Sequence, residues 1–333
     1  MSNLTSASAR SLSEARSAAR SSVAFFDLSD RTQIEVTGSD RARILHSFTS
    51  NDIKRLKPGQ GCETFLTSLK GKVVAHFFAF CGETSFWLDG TPGQEETITN
   101  HLKKYVLIDD VQIHPSGTTR GELFVTGPLA ASLLQSEGSF ELGQHLQRET
   151  DQQSLNIRRV DLLGAPGFLL SLPADQVEGV KRGLAVVGVD EGSRELFELL
   201  RIEAGYPQYG GDITEENLAQ EVARTKQCIS FNKGCYLGQE TIARLDAVGH
   251  TNRELRRLHF DSPIVPVRGT PIFDHEGLHE LGSVTSAAAN LGKSTAGNAD
   301  AVVALGYIKH AACLPDHLIS VMVNGQRIQG HVL

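Results

Sequence analysis

Apolar and polar residues alternate over 33–36, the period of a half-buried strand. The spacing then changes: Ala42, Ile44, Leu45 and Phe48 fall at intervals suited to a short amphipathic helix over 40–48, and Pro58-Gly59 closes that unit with a turn. Segments 65–69, 73–80 and 85–88 read as strands of an antiparallel sheet, divided by Lys70-Gly71-Lys72 and Cys81-Gly82-Glu83, and a second helix is expected over 95–105. A strand over 122–126, the turn Gly127-Pro128 and an Ala/Leu-rich helix repeat this order of strand, glycine corner and helix. Val36-Thr37-Gly38 and Val125-Thr126-Gly127 are the matching corners, so the pattern predicts a duplicated α+β unit. Leu196, Leu199, Leu200 and Glu203 keep helical spacing over 194–204, which places Glu203 at a helix end.

From Arg253 onward the texture changes to short strands broken by Pro263, Pro266, Gly269, Pro271, Gly277, Gly282 and Gly306, as expected for a small all-β barrel. The expected organisation is a flexible tail over 1–22, an α+β body over 23–250 whose second subdomain covers roughly 115–190, and a barrel over 251–333.

With 333 residues, 40% hydrophobic and 21% charged, the chain can bury the core that two or three domains require. A net charge of -7 argues against broad electrostatic capture of nucleic acid, which depends on Lys and Arg neutralising phosphates; a local basic patch stays compatible. No apolar run is long enough to cross a bilayer, and the N-terminus lacks the hydrophobic core of a secretory signal. Cys62, Cys81, Cys228, Cys235 and Cys313 are odd in number and scattered, which fits neither a disulfide framework nor a Cys-x-x-Cys metal knuckle and points to a reducing compartment. The first 22 residues are rich in Ser, Ala and Arg with Glu14 the sole acid. This composition suits a bacterial N-terminal tail or helix in a cytoplasmic protein, with an organellar leader and the mitochondrial matrix as the alternative.

The densest run of chemically capable side chains is Lys233-Gly234-Cys235-Tyr236-Leu237-Gly238-Gln239-Glu240. A cation near a thiol lowers its pKa by stabilising the thiolate, so Lys233 is a candidate activator of Cys235, while Gly234 and Gly238 suit a turn that lets a ligand approach the main chain. A strand-to-helix corner with an inert, buried cysteine satisfies the same residues. His275-Glu276-Gly277-Leu278-His279 matches the His-Glu-x-x-His zinc pattern, but Pro271, Gly277 and Gly282 suit a hairpin rather than the helix that pattern needs, so no metal site is assigned.

Lys-Gly-Cys-Tyr-x-Gly-Gln-Glu resembles the signature of the YgfZ-type folate-binding proteins, relatives of the glycine cleavage T-protein, an aminomethyltransferase. Arg201-Ile202-Glu203-Ala204-Gly205-Tyr206-Pro207-Gln208-Tyr209-Gly210-Gly211-Asp212-Ile213 is similar to the superfamily segment that contacts the pterin, and Ala219-Gln220-Glu221 is similar to its Pro-Gln-Glu. Ile34-Glu35-Val36-Thr37-Gly38, Phe48-Thr49-Ser50-Asn51-Asp52 and Leu56-Lys57-Pro58-Gly59-Gln60 are similar to its opening strand, helix end and loop. The resemblance implies an α+β fold in which duplicated ferredoxin-like units form a folate-binding body followed by a C-terminal antiparallel β-barrel. It implies tetrahydrofolate or a one-carbon derivative as cofactor and iron–sulfur enzymes or assembly proteins as partners. It also implies a role in tRNA modification, while the net charge argues against direct stable binding of the nucleic acid itself.

By the same resemblance Glu203 reads the pterin edge, where one carboxylate can accept two adjacent N–H groups. Asn51 lines the folate cavity, Arg201 and Tyr209 flank Glu203 in the contact segment, and Cys235 is a reactive thiol at the rim. Arg244 either meets an anionic ligand group or pairs with Glu240 across one helical turn.

The chain departs from the aminomethyltransferases at 70–76. Ala75 and His76 stand where that segment carries paired aspartates, one of them the catalytic acid/base, and alanine cannot exchange a proton. His76 could, although its place between Val74 and Phe77 fits a strand side chain. Trp87-Leu88-Asp89-Gly90 likewise lacks their asparagine. A folate-dependent aminomethyltransferase and a folate-independent scaffold are the alternative functions.

Overall fold

The computed structural model describes residues 12–134, 140–150, 153–291 and 300–333. The first eleven residues of the expected tail lie outside the described residues. The remainder of that stretch contains the helix Leu12–Ser21, whose Ala15 and Ala19 pack on the body.

Two sheets make up the body. The first has five strands in the order Gln60–Thr67, Val73–Cys81, Phe86–Gly90, Thr32–Thr37 and Gln112–Pro115, all neighbours antiparallel. One face is covered by the helices Arg41–Phe48 and Glu95–Lys103, and Ile34, Val36, Ile44, Leu45, Phe77 and Leu102 fill the layer between. The second sheet has six strands in the order Asp190–Glu191, Ala24–Asp27, Arg120–Thr126, Gly167–Pro173, Gln153–Val160 and His145–Thr150, and the helix Val177–Val186 packs on it through Val177 and Leu184. The two matching corners behave alike: Gly38 has φ +97° and Gly127 φ +119°, and a Cβ would lie 2.1 Å from the Asp110 carbonyl oxygen at the first and 2.3 Å from that of Ser22 at the second. Only glycine turns each strand into its helix there.

Between the sheets lies a third layer of Phe26, Phe78, Phe80, Phe124, Leu196, Phe197, Leu200 and Tyr206, into which the helix Arg194–Ala204 is set. That helix begins as its sequence directs, with the Ser193 hydroxyl accepting from the Leu196 N–H, and ends on Gly205 in the left-handed conformation. Beside this layer a group of two arginines and two carboxyl groups is fully enclosed, with Glu122 pushed well up by burial and by Asp89. Arg31 and Arg158 each contact both Asp89 and Glu122, at 2.7–3.4 Å, and so tie the two sheets together. Losing Asp89 would strand the two buried guanidiniums without their ionised partner.

The C-terminal unit is the expected barrel, six antiparallel strands closed by pairing of Arg253–Phe260 with Gln326–Val332. Its interior holds Leu258, Phe260, Ile272, Val302, Ile319 and Val321. The other face of the helix Arg194–Ala204 packs on it through Leu199 and Ile202. Residues 275–279 form the hairpin turn between Pro271–Asp274 and Glu280–Leu291, with Gly277 at φ +75° and the His279 ring bonded to Asp274, so the two histidines share no helix face. No helix among the described residues is long and apolar enough to cross a membrane.

Candidate functional site

The eight-residue run at 233–240 is a loop leading into the helix Gln239–Val248, and its residues divide sharply by exposure. Lys233 is buried and turned inward, its ammonium donating to the carbonyl oxygens of His46 and Thr49 at 2.6 Å and of Asn51 at 2.8 Å. These carbonyls belong to the end of the helix Arg41–Phe48 and the turn that follows, where the helix C-terminus leaves acceptors unsatisfied. Burial draws the Lys233 ammonium down to about 7. Its three hydrogen bonds thus go to the scaffold, whereas Cys235 is exposed.

Three further contacts anchor the loop around that thiol. The Leu237 N–H donates to the Ser47 carbonyl, the Thr67 hydroxyl donates to the Leu237 carbonyl, and the Gln239 side-chain oxygen accepts from the Tyr236 N–H. Tyr236 is buried under the Lys233 ammonium, 4.6 Å from the ring centroid. Gly238 has φ +85°, and any side chain there would meet the Ser68 carbonyl oxygen at 2.4 Å, so the loop is seated on the turn at Ser68–Gly71. Gly234 and Glu240 are exposed. The result is a thiol facing outward from a fixed backbone, not the sealed corner that the residues alone also allowed.

Glu203 sits at the end of its helix with a side chain only 10% exposed, and both carboxylate oxygens are engaged by the N-terminal helix, Oε1 by Arg16 and Oε2 by Arg20. Arg16 also donates to the Asn290 side chain on the barrel, at 2.8 Å. Neither Arg201 nor Arg253 pairs with Glu203: Arg253 forks onto Glu221, and Arg201 is buried against Glu198, Asp212 and Ser286. Arg201 therefore joins helix to barrel, and its guanidinium is fully committed. Tyr209 is partly buried, and desolvation pushes its hydroxyl up to about 12. Asn51 spends its amide N–H groups on the carbonyls of Glu63 and Gln227 and its oxygen on the Asp52 N–H, stitching the helix end to the segment before the signature. Arg244 and Glu240 are exposed on the helix Gln239–Val248, and no ion pair joins them.

The residues missed by sequence reasoning are in the interior. Along Val73–Cys81 alternation sends Ala75, Phe77 and Ala79 to the helix-covered face and His76, Phe78 and Phe80 to the opposite one. His76 thus faces inward, with Nε2 2.6 Å from Glu63 Oε1 and 3.9 Å from the Cys228 sulfur. Arg224 forks onto both oxygens of Glu63 at 2.5 Å and lies over the Tyr206 ring, 5.0 Å from its centroid. Burial would raise the Glu63 carboxyl, but the Arg224 charge and the His76 bond outweigh it and hold Glu63 down to about 2. Burial pushes the Cys228 thiol up and His76 down, so His76 is neutral. A single glutamate, between Cys62 and Thr64, in the otherwise uncharged segment 60–69 was the one local signal. Nothing in the sequence ties it to Arg224, 161 residues away.

The α+β body of two sheets and the six-stranded barrel have a counterpart among solved structures. The crystal structure of glycine cleavage system aminomethyltransferase T from Bartonella henselae aligns with a TM-score of 0.84 at 23% identity, covering 96% of this chain and 88% of that one. The family model of the GCVT N-terminal domain matches residues 5–233, and the chain belongs to that family. Over 326 residues it is 30% identical to the Arabidopsis thaliana chloroplastic protein At1g60990, whose name assigns it provisionally to the transferases, covering 96% of this chain and 72% of the relative. It is 24% identical over 328 residues to the aminomethyltransferase of Desulforamulus reducens, covering 95% and 86%.

Proposed function

We propose that this chain is a tetrahydrofolate-binding protein of the YgfZ type that supports iron–sulfur enzymes, including those that modify tRNA. The observation that carries this reading is the signature loop: Cys235 is exposed while Lys233, Tyr236 and Gly238 beside it are buried and fixed. Such a platform presents one thiol to a partner or ligand at a defined place. One thiol does not hold a cluster alone, since clusters take four protein ligands, so a partner supplies the others or Cys235 reacts with the folate one-carbon unit. Glu203 is the pterin-reading carboxylate. Because Arg16 and Arg20 occupy it, the pterin edge shares or displaces them.

The names of the relatives favour a second reading, aminomethyl transfer. Against it, Ala75 points into the helix-covered layer and His76 is tied to Glu63, leaving neither aspartate position with a free acid.

Titrating tetrahydrofolate into the purified chain tests the binding half. Saturable binding is expected, weakened about 10- to 100-fold by Glu203→Gln, the range for a hydrogen bond to a charged group. Absence of saturable binding would leave the folate-independent scaffold standing. Deleting the gene is expected to lower the activity of iron–sulfur tRNA-modifying enzymes, and a Cys235→Ala copy is expected to leave it low. Full rescue by that copy would remove the thiol from the mechanism, and release of a one-carbon product from an aminomethyl donor would establish the second reading.

A further inference from the structure

We propose that Glu63, His76 and Cys228 form a binding site for a divalent metal ion of the zinc class. The three residues come from three separate elements, the strands Gln60–Thr67 and Val73–Cys81 and the helix Thr225–Cys228, and all three are buried. Their donor atoms, a carboxylate oxygen, an imidazole nitrogen and a sulfur, lie within 4.8 Å of one another. Oxygen, nitrogen and sulfur together suit a borderline-soft ion such as Zn2+.

The distances are near what such an ion needs. With a metal–sulfur bond of about 2.3 Å, metal–nitrogen and metal–oxygen bonds of about 2.0–2.2 Å and tetrahedral angles, donors stand roughly 3.3–3.7 Å apart. The His76 nitrogen and Cys228 sulfur are already 3.9 Å apart. The His76 and Glu63 atoms, at 2.6 Å, share a proton and must part by roughly 0.7–1 Å to reach that spacing when the ion enters. Arg224 does not block this. Each carboxylate oxygen has two lone pairs, so Oε1 can keep its bond from Arg224 and turn the other lone pair to the metal, while the fork fixes the plane of the carboxylate.

The protons balance. The His76 proton moves from Nε2 to Nδ1, which has no hydrogen-bond partner in the metal-free chain, and the Cys228 thiol gives its proton to solvent as sulfur becomes the thiolate ligand. One proton is released for each ion bound. Three protein donors leave a fourth position for water or an added ligand, the pattern of reactive rather than purely structural zinc sites.

The test uses tag-free, full-length chain stripped with a chelator and titrated with Co2+ and Zn2+. Expected are one ion per chain, a sulfur-to-cobalt charge-transfer band, and loss of affinity exceeding about 100-fold in Cys228→Ser and His76→Gln, since losing even an outer partner of a metal ligand costs 10- to 100-fold. Cys235→Ala is expected to keep the band. Binding that fails to reach one equivalent overturns the proposal, as does a band that survives Cys228→Ser or vanishes with Cys235→Ala. Should the buried variants misfold, X-ray absorption on the zinc-loaded wild-type chain decides the matter: one sulfur with nitrogen and oxygen neighbours supports the site, and a shell without sulfur overturns it.

Discussion

Cys235 and Cys228 are seven positions apart and live in opposite environments. Cys235 stands in water on a loop whose backbone is held by Lys233, Thr67 and the Ser68–Gly71 turn. Cys228 is enclosed with His76, Glu63 and Arg224, and burial raises its thiol pKa. The difference is one of access. An exposed thiol on a rigid support is open to reagents in solution, whereas a buried one beside an imidazole and a carboxylate is shielded from them.

Breaking the buried side of the comparison should have the largest effect. Glu63→Ala leaves the Arg224 guanidinium unpaired inside the body and is expected to cost about 3–5 kcal/mol of stability in urea unfolding. A loss below 1 kcal/mol would mean that Arg224 finds water. The same group sets an acid limit. Its folded pKa of about 2 lies below its ordinary 4.5, so its stabilisation is complete above pH 4.5 and is lost as pH falls toward 2.

Lys233→Met comes next, removing three charge-assisted bonds from carbonyls at the end of the helix Arg41–Phe48. A cost of about 2–3 kcal/mol is expected, together with faster amide exchange in the signature loop. Unchanged exchange at 234–238 would show that the loop does not need its lysine.

The smallest effect concerns the N-terminal helix. The Arg20→Ala variant is expected to lose no more than about 1 kcal/mol, because Arg20 is largely exposed and Arg16 still holds Glu203. It should raise tetrahydrofolate affinity several-fold by freeing one oxygen of the Glu203 carboxylate. Weaker binding would instead make the Arg20 guanidinium part of the ligand's surroundings.

How much of this was legible in the sequence follows from range. The helix Arg194–Ala204 carries its own instructions, a serine cap, leucines at helical spacing and a terminal glycine, and its bounds agree with the expectation. The barrel announces itself by its prolines and glycines, and the corner glycines Gly38 and Gly127 mark the duplicated unit. Partners far apart in the chain left no such trace. Alternation around His76 could show which face it takes but not that Glu63 and Cys228 meet it there, and the proximity of Lys233 to Cys235 in sequence concealed that the ammonium turns inward to carbonyls of residues 46–51. The arginines on Glu203 come from a stretch whose composition suggested a flexible tail.

The contrast between the two thiols is tested most directly by alkylating the native, metal-free chain and following each cysteine by peptide mass spectrometry. Cys235 should be modified first, as one fast equivalent abolished by Cys235→Ala, with Cys228 protected until the chain is unfolded. Equal rates at the two sulfurs, or faster modification of Cys228, would contradict the account.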